Sequence, residues 1–588
     1  MSNNSTIPTP ATPDVCTIAV LVEGTQIPGE LHVLSVVTTN ELNRIPTATI
    51  QLRDGEASKA TFEVSNGTLF IPGKKVEIKL GYRSSNDTVF SGIIVKHSIK
   101  VRKAGTVLMV ECRDPAVKMT CGAKSRYFAG KKDSDIIEEI IKPYSLKKDV
   151  TQTKPALKEV TQFNSTDWDF ILCRAEANGH VVMVKDGKIT VAPPATGAAP
   201  VVTVHYGTTL LELDAEIDAR RQSKGIKALT WDQAGQAMVD VDAKEPATPA
   251  AGNLSTGTLA DVIGGDPHQM PHGGHLTQPE LQAWADGRLL KERLAKVRGR
   301  ARFQGFAKVD PGNIIEVTGI GDRFQGKLYV SGVRQTVTNG NWETDVQLGL
   351  DPDIFAATYN LRPVPAAGLV PGMSGLQVGV VTALKGDPDG EDRIKVRVPV
   401  IHKKDDGIWA RIATLDAGKN RGTFFRPEIH DEVIVGFLYN DPRFPVVLGG
   451  ANSSAKPSPE PPDDNNHRKG YVSREKLKLT FDDDKKIIQL ETPKGNKVTL
   501  SDQDKGIILQ DQNGNKITMD DSGITIESAK DLKLKAGKDI KVEGMNLDLK
   551  AQTGFKAAGS ATAEVSGAST TVKGSATTVI QGGLVQIN

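Results

Sequence analysis

The sequence predicts a mainly β protein: an α+β first half, then a small closed barrel, then a terminal run of short strands too thin to enclose a core of its own. Three observations carry this. Aromatic residues make up only 5% of the 588 residues while glycines number 57, a composition suited to short strands and turns with cores of Val, Ile and Leu. Helical periodicity is confined to a few stretches of the first half. Between Gly470 and Asn588 apolar residues arrive in i, i+2 pairs, the period of a strand with one buried face. A chain this long exceeds a single core, so three to five domains are expected.

Residues 1–14 are polar and Pro-rich, with no basic region leading into an apolar run, and read as a disordered leader rather than a signal peptide. From Val15 to about Pro115, β-branched runs alternate with turn signals: Leu31–Val37, Thr47–Leu52, Lys75–Leu80, Phe90–Val95 and Leu108–Cys112. Asp133–Ile141 reads as an amphipathic helix with Ile136, Ile137, Ile140 and Ile141 on one face. A second helix is read in the stretch from Asn164 to Gly179. Ser165 or Thr166 caps it, Asp167 and Asp169 suit its dipole, and Asn178-Gly179 supplies a left-handed stop. Strands resume at Val181–Val184 and Lys188–Val191 around Asp186-Gly187. Residues 243–276, rich in Pro, Gly, Ala, Thr and His, read as a long surface loop. A helix then starts at Thr277, whose capping box closes with Glu280, and runs to about Val297. Strands follow to Leu350, so the elements on both sides of the loop form one compound α+β unit.

Residues 367–453 supply about five strands: Gln377–Leu384, Arg393–Val398, Ile408–Ile412, Glu432–Phe437 and Val446–Leu448. Five short strands in that length suit an OB-type barrel. Residues 454–468, rich in Pro, Asp and Asn, read as a linker. Residues 469–588 then carry the pairs Ile488/Leu490, Val498/Leu500, Ile507/Leu509, Ile517/Met519, Ile524/Ile526, Leu532/Leu534, Ile540/Val542 and Leu547/Leu549, with Val565, Val572 and Val579 continuing the beat among small residues. That is a repeat. Each strand offers two or three inward side chains, too few for a globular core, and a lone ribbon would leave its apolar face in water. Three copies around one axis would bury that face in a triangular trimeric β-helix, a needle with charged and Thr positions outward.

The charge balance is nearly even, 73 basic against 71 acidic residues, which argues against a nucleic-acid partner. No stretch approaches the ~20 apolar residues of a membrane span. Cys16, Cys112, Cys121 and Cys173 show no metal-ligand spacing. His268, His272 and His275, with Asp266, are the one candidate metal set, but they sit in the Gly/Pro-rich loop with nothing to fix their geometry, and a solvated loop is the preferred reading. Asp387-x-Asp389-Gly390 and Asp511-x-Asn513-Gly514 resemble pieces of a calcium loop and read better as turns. Gly319-x-Gly321 with Gly326 lacks the βαβ context of a dinucleotide loop. Trp168 and Trp409 read as buried packing anchors rather than ligand platforms. No catalytic residue and no cofactor is expected, and the chain is read as not an enzyme.

The order of parts resembles the VgrG spike proteins of type VI secretion systems and the hub-and-spike proteins of contractile phage tails and extracellular injection particles. The resemblance is carried by Asp167-Trp168-Asp169-Phe170-Ile171-Leu172 with Arg174-Ala175-Glu176-Ala177-Asn178-Gly179, by the barrel motifs, and by the terminal repeat. The barrel motifs are Val396-Arg397-Val398-Pro399, Trp409-Ala410-Arg411, Asp431-Glu432-Val433 and Asp441-Pro442. It implies a hub of β-barrel-type domains over 15–366 that seats on an inner tube, an OB collar and a needle. It also implies a homotrimer with inner-tube and baseplate partners, a PAAR-like tip protein at Asn588, cargo, and mechanical contact with a target membrane. Such a chain is made in the cytoplasm without a signal peptide and carried out by the machine. His430 stands where the family pattern has Gly, which suggests a different turn. Only the linker occupies the place of the lysozyme domain of some phage relatives, and the repeats run to the end, so a bare spike is expected. The alternatives are an envelope-active enzyme with its site in the hub, around the histidine loop, and an adhesin-like surface-binding fibre.

Overall fold

The computed structural model describes residues 15–587; the expected leader over 1–14, and Asn588, lie outside the described residues. The chain divides into two units, one running to Leu376 together with Gly436–Pro445, the other formed by Gln377–Val435 and the residues from Val446 on.

The first unit is built on a 13-stranded sheet. Its central junction is antiparallel pairing of Val33–Glu41 with Gly326–Thr338, Val37 facing Thr336. On one side of the junction follow Thr47–Arg53, Gly105–Arg113, Ser85–Arg102, Lys75–Tyr82 and Cys16–Val22; on the other, Asn341–Leu348, Arg298–Gln304 and Leu210–Glu216. Each half carries its own core. Ile50, Leu52, Phe70, Ile78, Leu80 and Leu108 fill the first. Ala301, Phe303, Ile315, Val330 and Val346 fill the second. The alternation of buried and part-buried residues along Thr47–Arg53 is that of a sheet with one covered face.

The two expected helices form, the first over Asp133–Ile141 as read and the second over Asp167–Ala177, inside the stretch from Asn164 to Gly179. Their apolar faces meet in a third core of Ile136, Ile137, Ile140, Trp168, Ile171 and Leu172, closed by Val182, Val184 and Ile189. Thr166 caps the second helix, its Oγ1 accepting from Asp169 N at 3.1 Å. Asp167 is buried at that N-terminus. It accepts from Lys124 Nζ and Tyr144 Oη at 2.7 Å each and from Gln162 Nε2 at 3.0 Å, and it pairs with Arg126. Burial pushes its carboxyl up, but these donors and the Arg126 charge more than reverse that and hold it below the usual carboxylate range. Arg174 grips Asp133 with two bonds, at 2.6 and 2.8 Å, locking the helix pair.

Helix Gln278–Leu294 starts at Thr277 with both halves of the capping box made. Leu281, Ala285 and Leu289 pack on a three-stranded sheet of Ala237–Asp242, Ile226–Asp232 and His268–His272. Midway along it, Gly287 meets Gly179, the left-handed stop of the earlier helix at φ +66°. A Cβ added at Gly287 would lie 2.5 Å from the Gly179 Cα, so only glycine at both positions permits this crossing.

The expected long loop over 243–276 is corrected. It contains a helix, Thr256–Ile263, and a strand, His268–His272. Ser255 caps the helix, its Oγ accepting from Thr258 N at 3.0 Å, and Gly264 ends it at φ +74°. The strand pairs in parallel with Ile226–Asp232 and buries only Met270, so composition alone could not reveal it.

Gln377–Ala383, Ile394–Arg397, Ile408–Ile412, Pro445–Gly450 and Glu432–Phe437 close into a five-stranded barrel, as expected, around Val381, Ile394, Val396, Ala410, Val433 and Val447. The expectation of a different turn at His430 is also corrected. His430 keeps the left-handed conformation that a glycine would take there, at φ +72°, with its N–H on Val381 O at 2.8 Å. Trp168 is a buried anchor, whereas Trp409 is only half-buried, with Lys395 Nζ 6.0 Å from its ring centre.

Residues 468–527 form a seven-stranded antiparallel meander of five-residue strands from Arg468–Val472 to Gly523–Glu527. In the single chain, among the described residues, no strand follows Glu527. A strand needs a neighbour for its N–H and C=O groups, and for Leu532/Leu534 onward no strand of the same chain supplies one.

Candidate functional site

The feature best suited to carry function is one face of this meander. Its antiparallel register is unshifted throughout, so the i, i+2 pairs line up strand after strand. One column runs Tyr471, Leu479, Leu490, Val498, Leu509, Ile517, Ile526, each facing the next. A second runs Phe481, Ile488, Leu500, Ile507, Met519, Ile524. Cross-strand neighbours at this spacing stabilise a sheet face only where that face is covered. Here it is open: Leu490 is 50% and Ile526 52% exposed, and a groove of 710 Å³ runs along Leu490, Val498, Leu509, Ile517, Ile526 and Leu532.

The opposite face is built for water. Lys478, Glu491, Lys497, Gln510, Lys516 and Glu527 face one another in sequence, so opposite charges alternate along part of the row. Thr480, Gln489, Thr499, Ile508, Thr518 and Thr525 form the row beside it. The hairpin turns are polar. Asp511 accepts from Asn513 N at 2.8 Å and from Asn515 N at 2.9 Å, and Asn515 above all holds its carboxyl down at about 2. The barrel's Asp387 behaves alike, taking the Arg393 side chain and the N–H groups of Asp389, Glu391 and Arg393. The Arg393 bond chiefly keeps its carboxyl far below the usual range. Both carboxylates are engaged by N–H donors, the geometry of turns.

The histidine set is spread out. His268 and His272 are exposed at opposite ends of their strand. His272 Nδ1 lies 3.0 Å from Gly274 O, and its ring stands edge-on to Trp284. His275 lies 3.6 Å from Asp232. Among the described residues no group of three or more His, Cys, Asp or Glu is arranged to hold a metal. Gly319 and Gly321 lie between the antiparallel strands Ile314–Thr318 and Gly326–Thr338, a β-connection rather than a nucleotide loop. Sequence reasoning missed His180, whose buried Nδ1 has no hydrogen-bond partner and whose ring burial pushes toward the neutral form. It lines a mixed polar crevice of 840 Å³ with Arg44, Glu176 and Lys291.

Three family models match the chain: the Alg8 N-terminal domain over 12–339, the type VI secretion system/phage-baseplate injector OB domain over 377–451, and the phage baseplate V C-terminal trimerisation domain over 487–588. Among curated proteins, the type VI secretion system spike protein VgrG1b of Pseudomonas aeruginosa is 29% identical over 198 residues, 32% of this chain and 26% of its own length. VgrG1a of the same organism is 26% identical over 216 residues, 34% and 33% of the two chains. The chain thus matches from about a quarter to a third of the length of these relatives. Among solved structures, the Neisseria meningitidis MC58 tail protein is similar at a TM-score of 0.43 and 15% identity, over 59% of this chain and 99% of that one. The Escherichia coli c3393 protein, a type VI secretion component, is similar at 0.37 and 14%, over 74% and 99%.

Proposed function

The chain belongs to the Alg8 N-terminal domain family through residues 12–339 and, in its run of domains, to the hub-and-spike family of VgrG and phage-tail proteins; from that membership we propose that three copies form the spike of a contractile injection machine. The observation that carries the proposal is the pair of apolar columns. They hold register over seven strands and six respectively, and Leu490, Leu500, Leu509 and Ile526 in them stay exposed. Two such faces would make a flat sandwich with open edges, whereas three close a prism and cover every column.

Function follows from stiffness. Strands paired across short turns resist bending, so a contracting sheath can push the needle through an envelope. On this reading the first unit is the hub that seats on the inner tube and meets the baseplate, and the barrel is the collar. The distal end receives a tip protein, and cargo travels with the assembly. No helix among the described residues is long and apolar enough to cross a membrane. The proposed role is mechanical.

The test is the mass of the purified full-length chain by light scattering on a sizing column. A species of three chains that outlasts urea able to unfold ordinary domains is expected. A well-folded monomer would sink the proposal.

A further inference from the structure

We propose that the outer face of two barrel strands, Ile394–Arg397 and Ile408–Ile412, binds an acidic oligosaccharide, a sugar chain that carries carboxylates. Trp409 lies under a sugar ring, and Lys395, Arg397 and Arg411 meet the charges. The inference goes beyond the spike reading and does not rest on it.

The two strands pair antiparallel with Lys395 facing Trp409. Ile394, Val396 and Ala410 fill the barrel core, so strand alternation turns Lys395, Arg397, Trp409 and Arg411 outward. Trp409 is half-buried, which holds its ring in place while part of it stays open, and Arg411 is exposed. Lys395 Nζ lies 6.0 Å from the ring centre. Facing residues stand about 5 Å apart and residues two along a strand about 7 Å. A ring seated on the indole therefore has a cation on each of two sides.

Charge concentrates on this face. From Lys395 to Arg411 the chain has five basic residues against two acidic ones, whereas the whole chain has 73 against 71. Among the described residues only Lys395 of the five has a carboxylate within ion-pair distance, Asp406 at 3.4 Å, whose side chain is 83% exposed. So exposed a pair is weak and gives way to a better partner. The other acid, Asp405, accepts from Gly407 N at 3.2 Å. Arg397 Nε is buried with no hydrogen-bond partner, a costly state for a charged donor and a sign of binding capacity that the chain itself does not use. Lys403 and Lys404 extend the positive field along the exposed loop between the strands.

The chemistry selects the occupant. Guanidinium forks match carboxylates in a plane, and an indole offers a flat apolar surface to the C–H face of a sugar. A single-stranded nucleic acid would call for a row of aromatics under successive bases. Trp409 is the one Phe, Tyr or Trp between Lys395 and Arg411.

The test titrates the full-length chain into fluorescein-labelled hexagalacturonate at low salt and follows anisotropy, with labelled maltohexaose and a labelled oligothymidylate as comparators. Saturable binding of hexagalacturonate is expected, weakened by added salt, with maltohexaose weaker by about tenfold or more. Trp409→Ala and Arg411→Glu should each weaken binding by about tenfold or more. Trp409→Phe should keep most of it, and Lys103→Ala, an exposed change in the first unit, all of it. Arg411 is exposed, so its variant separates lost binding from a lost fold, which an unchanged light-scattering mass and circular dichroism spectrum confirm. No binding of hexagalacturonate, equal binding by Arg411→Glu, or equal affinity for maltohexaose overturns the proposal. Tighter binding of the oligothymidylate, lost in the same variants, overturns it in favour of a nucleic-acid face.

Discussion

Replacing Gly287 by alanine should destabilise the first unit, against the sign that helix propensity alone dictates. In the interior of Gln278–Leu294, alanine is favoured over glycine by about 1 kcal/mol. The added Cβ, however, would sit 2.5 Å from Gly179 Cα and 2.7 Å from Gly179 N. Ordinary carbon contacts lie near ~3.5–4.0 Å, so the two segments must part by roughly 1 Å. Gly179 has little room to yield, because it turns the chain at φ +66° directly after its own helix. Overpacking of this kind costs about 1–3 kcal/mol. The helix gain of about 1 kcal/mol offsets part of it, leaving a net loss of up to about 2 kcal/mol. Native-state hydrogen exchange on peptides from 167–177 and 278–294 reads this locally, without needing the whole chain to unfold in one step. Exchange there should speed up by as much as about thirtyfold, since each 1.4 kcal/mol is about tenfold, while needle peptides stay unchanged. Slower exchange in Gln278–Leu294 would mean that propensity wins, and the close-crossing argument would be wrong.

Three further outcomes are expected. Asp167→Asn removes the charge shared by Lys124, Arg126 and Tyr144; because Lys124 and Arg126 are partly exposed, the loss should be about 2–3 kcal/mol by urea titration. The Asp167 carboxyl is held below its unfolded value, so its contribution is complete above about pH 4 and is lost as pH falls through the folded value; the Asn variant should lack that part of the acid dependence. His430→Gly relieves a left-handed residue, worth about 1–2 kcal/mol, against about 0.4–1 kcal/mol of added unfolded-state freedom; a barrel transition unchanged or lowered in a thermal scan would contradict the geometry. Leu509→Asp puts three charges into the first column of a trimer and should abolish the three-chain mass, whereas Ile508→Thr, one residue away in the Thr row, should leave it intact.

What could be read in advance was whatever depends on neighbours in sequence. Asp133–Ile141 and Asp167–Ala177 announce themselves by spacing and caps, and the pairs from Ile488 to Ile526 fall into two columns because equal hairpins preserve register. What stayed hidden depends on distant partners. Nothing local marks Gly287 as the partner of Gly179, or His268–His272 as a strand, since its pairing partner is Ile226–Asp232. His430 shows the same limit in reverse, because a missing glycine suggested a changed turn while the surrounding bonds kept the old one. The repeats after Glu527 look like strands in sequence because their side chains alternate, yet alternation cannot say which chain will supply the backbone partner.

The junction of Val33–Glu41 with Gly326–Thr338 also sets a timetable for the ribosome. The first strand emerges early and finds Thr47–Arg53 at once, but its other edge waits for a partner about 300 residues later. At roughly 5–20 residues per second of synthesis, that edge stays bare for about 15–60 s. On a polysome, many copies of the same open edge stand close together, each a template for the wrong pairing. The needle has no such wait, since each of its seven strands is completed by the next hairpin. Nascent-chain chaperones should therefore engage this protein mainly while the segment between Thr47–Arg53 and Gly326–Thr338 is being made, and let go before the first needle repeat leaves the exit tunnel.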